Sequence, residues 1–97
     1  MSKHMPLTDK RRTAILNELA EMENDLYYWT QVRAEAVVKG YSEDSREFRV
    51  IEETMRELFM VMYEMADQVH DSARKWSRDM SERMVIRAEA TKAANRG

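Results

Sequence analysis

The sequence predicts an all-α protein, specifically a long antiparallel helical hairpin whose second helix extends beyond the first. Three observations support this fold class. The 97 residues include only two glycines and one proline, the residue types that disfavour helix most. Apolar residues recur at alternating intervals of three and four, the period at which an α-helix buries one face. Gly40 and Ser42 separate the two periodic segments and are typical of a helix end and a helix start.

The chain is short enough for one domain. Residues 1–7 show no apolar periodicity, so we expect a flexible N-terminal arm there and a single helical domain over residues 8–97. Pro6 lies in this arm and follows Met5. We interpret it as an ordinary tail proline, with recognition by a prolyl isomerase as the alternative.

The first helix is expected over about residues 8–39, with Thr8 as its N-cap. A turn follows at residues 40–42, and a second helix over about residues 43–94. Apolar residues at helical spacing mark the buried stripe of the first helix: Ile15, Leu19, Met22, Leu26 and Trp29. The stripe of the second helix begins with Phe48, Ile51, Met55, Leu58, Met62, Met65 and Val69.

The second helix is longer than the first, and this has a consequence for its C-terminal part. With a turn near Tyr41, the first helix ends opposite about residue 75, so the apolar residues beyond it have no partner within a hairpin. Either the helix breaks near Asp71–Ser72 and folds back, or it projects and packs against another chain. The absence of glycine and proline between residues 41 and 96 favours the projecting helix.

Apolar surface also exceeds what two helices can bury against each other. The segment of residues 58–66 is apolar nearly all round, and exposed apolar patches commonly mark interfaces. We therefore predict a partner-binding surface. Its expected residues are Trp76, Met80, Met84, Val85, Ile86, Arg74, Arg78, Arg83, Arg87 and Tyr27.

Charge is distributed unevenly, although the net charge is only −2. Residues 41–70 carry eight acids and three bases, whereas residues 71–97 carry seven bases and four acids. The bases of the C-terminal third could contact phosphates, but acids interrupt them and Trp76 is the only aromatic residue among them. A solvated helix face is the simpler interpretation, and contact with an acidic protein is the main alternative.

Sequence signals for catalysis are nearly absent, so we expect a protein that is not an enzyme and uses no cofactor and no metal. Without cysteine, thiolate metal sites and cysteine nucleophiles are excluded. With Gly40 and Gly97 as the only glycines, there is no glycine-rich phosphate loop. Asp67 and His70 have the spacing of a metal-binding pair, but a di-iron bundle needs two such motifs. No segment resembles a membrane span or signal peptide, and we expect a cytosolic protein.

Three features together resemble a known family: the Thr8–Gly40–Ser42 hairpin, the aromatic cluster Leu26-Tyr27-Tyr28-Trp29 and the methionine-rich stretch of residues 57–66. The chain is similar over its whole length to the small anti-RecBCD proteins of lambdoid phages of enteric bacteria. This resemblance implies a non-enzymatic modulator in the host cytoplasm. It would bind the RecC subunit of the host RecBCD helicase–nuclease, and would alter the response to Chi and the loading of recombinase. The resemblance assigns no individual functional residue.

Three functional hypotheses follow. The first is a ligand of a host protein that docks through residues 74–87 and through a spare apolar stripe of the first helix, formed by Leu16, Ala20, Tyr27, Ala34 and Val38. The second is a structural homodimer in which two hairpins form a four-helix bundle. The third is an accessory protein that binds nucleic acid through its basic end, with an affinity that falls steeply as salt rises.

Overall fold

The computed structural model describes residues 7–96. This part of the chain forms three α-helices and no strand: α1 (Asp9–Val38), α2 (Arg46–Val69) and α3 (Ala73–Arg96). The predicted all-α class is therefore confirmed. The expected arm falls almost entirely on residues 1–6, including Pro6, which lie outside the described residues.

Both ends of α1 follow local rules that the sequence makes visible. Thr8 is the N-cap, and its Oγ1 accepts a hydrogen bond from the amide of Arg11 at 3.1 Å. At the other end, the amide of Tyr41 donates to the carbonyl of Ala36 at 3.0 Å. Gly40 adopts the positive φ of 86° that this closing motif requires. The predicted helix over residues 8–39 is confirmed to within one residue at each end.

Substituting Gly40 with alanine is expected to lower the free energy of unfolding by about 1–2 kcal/mol, because an L-residue is strained at positive φ. A Cβ added to Gly40 would meet no atom within 4 Å, so backbone strain alone sets the effect. Urea denaturation of the purified variant measures it. Asn tolerates this conformation better than Ala, so Gly40→Asn should lose less stability. Equal losses for the two variants would contradict the explanation.

The connection between α1 and α2 is longer than the predicted turn at residues 40–42. Ser42 does not cap α2; its hydroxyl accepts from the amide of Asp44 at 3.1 Å and closes a turn. Ser45 is the N-cap, and its hydroxyl accepts from the amide of Phe48 at 3.2 Å. Two serines were available as caps, and burial of Phe48 on the core fixes which one is used.

The continuous second helix over residues 43–94 is wrong, because the chain leaves helical geometry between Val69 and Ala73. His70 has an extended backbone, with φ −107° and ψ 150°. Ser72 then starts α3: its hydroxyl accepts from the amide of Lys75 at 3.2 Å, and its carbonyl accepts from the amide of Trp76 at 3.1 Å. A serine cap thus makes a helix break that needs neither glycine nor proline.

The break lets α3 fold back and pack on the other two helices. The side chain of Arg12 donates to the carbonyl of Val69, which joins the start of α1 to the end of α2. Farther along, Arg33 pairs with Glu52 at 3.1 Å between the same helices. All three helices contribute to one apolar core: Ile15, Leu19, Leu26, Ala36, Phe48, Ile51, Met55, Met62, Ala66, Val69, Trp76 and Met80.

Candidate protein-interaction surface

Two of the predicted partner-binding residues belong to the core instead. Trp76 is 9 % exposed and Met80 is 1 % exposed. Both lie in the first two turns of α3, where folding back places them against α1 and α2. The prediction that Trp76 and Met80 pack against another chain is wrong, because it assumed that the second helix projects beyond the hairpin. Met84, one turn further, is half-buried against the same core.

Trp76 fixes the position of α3 relative to α2. Its ring lies 5.4 Å from that of Phe59 and 6.4 Å from that of Tyr63, measured between centroids. These distances are typical of favourable aromatic pairs. The indole Nε1 is buried and has no hydrogen-bond partner within the described residues. Burial of Trp76 therefore gains aromatic packing, while its Nε1–H finds no acceptor in the described part of the chain.

Tyr27 fixes the position of α3 relative to α1. Its hydroxyl donates to the Sδ of Met80 at 3.9 Å, and the guanidinium of Arg87 lies 4.0 Å from the centre of its ring. A hydrogen bond to the Tyr27 side chain raises the pKa of the Arg83 guanidinium. Three predicted partner-binding residues, Tyr27, Arg83 and Arg87, are thus brought together by contacts within the chain.

Val85 and Ile86 remain available for a partner. Val85 is 61 % exposed and Ile86 is 67 % exposed, and they lie side by side on α3. With three neighbours they line a shallow, largely apolar depression that we call the α3 patch: Arg78, Ser81, Glu82, Val85 and Ile86. Arg78, Val85 and Ile86 were all predicted to bind a partner. The remaining predicted residue, Arg74, is exposed one turn before Arg78.

A second apolar feature lies next to the α3 patch, and we call it the α2–α3 groove. It is an open groove of about 510 Å³. Its lining comes from all three helices: Thr30, Arg33, Glu52, Met55, Arg56, Phe59, Ser81, Met84, Val85 and Ala88. Ser81 and Val85 belong to both features, so the two form one continuous surface.

Sequence reasoning missed the α2 side of this groove. The assignment of Met55 to the core is confirmed, since it is buried there, but its contribution to the groove lining was not predicted. Arg56 and Phe59 were not singled out as site residues. The sequence did indicate exposed apolar surface on α2, since residues 58–66 carry more apolar side chains than one buried stripe of a helix can hold. Only the position of α3 shows which of them line an open groove.

Positively and negatively charged side chains lie at the edge of the α2–α3 groove: Arg33, Arg56 and Glu52. Arg33 pairs with Glu52 at 3.1 Å and lies 5.0 Å from the ring centre of Phe48. Arg56 forms no ion pair with any side chain of residues 7–95. The guanidinium of Arg33 is therefore paired within the chain, whereas that of Arg56 has no ion-pair partner among the described residues and could meet a carboxylate from another molecule.

A third depression, of about 500 Å³, lies between α1 and the start of α3. It is lined by a mixture of apolar and oppositely charged side chains, including Glu23, His70, Asp79 and Arg83. Within the described residues, no group of three His, Cys, Asp or Glu side chains is placed to hold a metal ion. The expectation of a non-enzymatic protein without cofactor stays a prediction.

None of the three helices, over the residues described, has an apolar stretch long enough to cross a bilayer. Comparison with protein-family models, with curated proteins and with solved structures found no match to this chain.

Proposed function

We propose that this protein is a non-enzymatic modulator that acts by binding another protein through the α3 patch. The observation that carries the proposal is the pair Val85 and Ile86, each more than 60 % exposed on a helix whose opposite face is packed on the core. A helix held against the core presents a rigid apolar surface, so little conformational entropy is lost when that surface binds a partner. Interfaces of soluble proteins commonly centre on such patches.

Charged neighbours of the patch provide orientation. Arg78 and Glu82 line it directly and form no ion pair within residues 7–95. Arginine is enriched in interfaces, and charged groups at the edge of an apolar contact favour one register of binding. We propose that the partner supplies opposite charges at these two positions.

The partner is suggested by resemblance. The similarity to the anti-RecBCD proteins of lambdoid phages leads us to propose the RecC subunit of the host RecBCD enzyme, in the host cytoplasm. Binding there would alter the response to Chi and the loading of recombinase. The all-helical fold and the exposed patch are compatible with this role.

We also propose that α1 and α2 form the antiparallel hairpin expected from the sequence, with α3 docked against it. The contacts that support this arrangement join Arg12 to Val69 and Arg33 to Glu52. In this arrangement α3 is the helix that presents the patch.

Binding of the purified chain to immobilised RecBCD tests the proposal. Ile86→Glu is expected to weaken binding by about 30-fold or more, the effect of a hot-spot residue of about 2 kcal/mol. Val50→Glu is the matched control, because Val50 is also an exposed apolar residue but lies on α2 away from the patch. Calorimetry or surface plasmon resonance measures both. No binding by the wild-type chain would refute the RecC assignment, and equal losses in both variants would refute the patch.

A further inference from the structure

We infer that a second copy of this chain closes the α2–α3 groove when the protein is free, with α2 of each copy lying across α3 of the other. This inference concerns the groove and goes beyond the proposed binding of a partner at the α3 patch. It predicts a symmetric dimer with four helices at its centre.

The apolar complement is present on the chain itself. The groove is lined by Met55, Phe59 and Met84. Met60 is 62 % exposed and lies one helical turn after Arg56, so it lies beside the edge of the groove that Arg56 forms. A second copy would cover the groove and bury Met60 at the same time. Methionine adapts well to such an irregular apolar surface.

The relative direction of α2 and α3 allows a closed dimer. Trp76 lies against Phe59 and Tyr63, and Met84 shares the groove with Met55. Residue numbers therefore rise along α3 as they fall along α2. A twofold axis parallel to the helices would place α2 over α3 of the second copy without shifting either along its length. Such an interface uses the same surface on both copies and closes on itself.

This geometry makes a specific prediction about charge. Trp76 is level with about residue 61 of α2, and Met84 lies near Met55 in the groove. Because both helices rise equally per residue, the numbers of two level residues total about 138, which places Arg74 level with Glu64. By the same count, Glu82 is level with Arg56. Across the twofold axis, each of these residues meets a residue of opposite charge from the second copy. Glu89 and Arg49 form a third pair of this kind.

Within residues 7–95, the first four of these side chains have no competing ion-pair partner. Arg56, Glu64, Arg74 and Glu82 are exposed, and none forms an ion pair within residues 7–95. The wider distribution agrees, because residues 41–70 are acidic and residues 71–97 are basic. Opposite charges that face each other across an interface favour that pairing over others. This complementarity is why we assign the groove to a second copy.

Dimer formation would also affect partner binding. Ser81 and Val85 line both the groove and the α3 patch. A second copy in the groove would cover part of the patch, so the dimer and the partner complex would exclude each other. The chain would then bind its partner as a monomer.

Charge exchange at one predicted pair tests the dimer. Sedimentation of the wild-type chain should show a monomer–dimer equilibrium that weakens as salt rises. Glu64→Arg and Arg74→Glu should each weaken the dimer by roughly tenfold or more, because each places two like-charged pairs across the axis. An equimolar mixture of the two variants should dimerise about as well as the wild type, since both pairs are again opposite in charge.

Three results would overturn the inference: a wild-type chain that stays monomeric at about 100 µM, variants that dimerise normally, or a mixture that fails to recover. Far-UV circular dichroism confirms that the variants are folded. Glu64→Arg also separates the two proposals, since Glu64 lies on α2 and does not line the α3 patch. It should lose the dimer while keeping the partner, so failure of this inference is distinguishable from failure of the proposed function.

Discussion

Replacing Met80 with alanine is expected to lower the free energy of unfolding by about 2–5 kcal/mol, the usual range for truncating a buried methionine. Met80 is 1 % exposed and receives a hydrogen bond from Tyr27 through its sulfur. Truncation would remove core packing and leave a cavity between α1 and α3. The loss is a large fraction of the stability of a chain this small.

Urea denaturation followed by circular dichroism measures this effect. Ile86→Ala on the same helix is the matched control and should change stability by less than about 0.5 kcal/mol, because Ile86 is exposed. The comparison separates a docked α3 from a projecting one. If Met80→Ala were as harmless as Ile86→Ala, α3 would not be packed as the structure has it.

Replacing Trp76 with alanine should cost about 3–5 kcal/mol, whereas replacement with phenylalanine should change stability by less than about 1.5 kcal/mol. The alanine variant loses the ring that packs against Phe59 and Tyr63. Phenylalanine keeps an aromatic ring there and removes the buried Nε1–H that has no partner within the described residues. Removing an unsatisfied donor recovers about 1–3 kcal/mol, which offsets the smaller ring.

The same denaturation measurements, with circular dichroism as the probe, compare the two variants with the wild type. Fluorescence of the remaining Trp29 is a second probe of the transition. Two outcomes would contradict the prediction. A large loss for Trp76→Phe would mean that the indole N–H has a partner, and a negligible loss for Trp76→Ala would mean that Trp76 is not in the core.

The helices and the ends of α1 could be predicted from the sequence because their causes are local. Ile15, Leu19 and Leu26, at intervals of four and seven residues, mark the buried face of α1, and all three are buried. Gly40 ends α1 through its own backbone conformation. Such features depend on residues within a few positions of each other, so the sequence displays them directly.

The break between α2 and α3 could not be decided in the same way. Ser72 is able to cap a helix, but a serine inside a helix is also tolerated, and no glycine or proline distinguishes the two cases. The choice depends on burial of Trp76 and Met80 between α1 and α2. That gain arises from residues distant in the sequence and outweighs the few backbone hydrogen bonds lost at residues 70–72.

Which residues form the candidate surface depends on this break between α2 and α3. Val85 and Ile86, which were predicted to bind a partner, are exposed in the structure, and their role in binding stays a prediction. Trp76 and Met80 were assigned to the same surface in error. Phe59 was not assigned to it, although it lines the groove. The sequence by itself determined that this chain is helical, where α1 begins and ends, and that its apolar residues exceed one stripe per helix. Only the tertiary structure decided which of them are buried and which line an open groove, because burial depends on where the third helix packs.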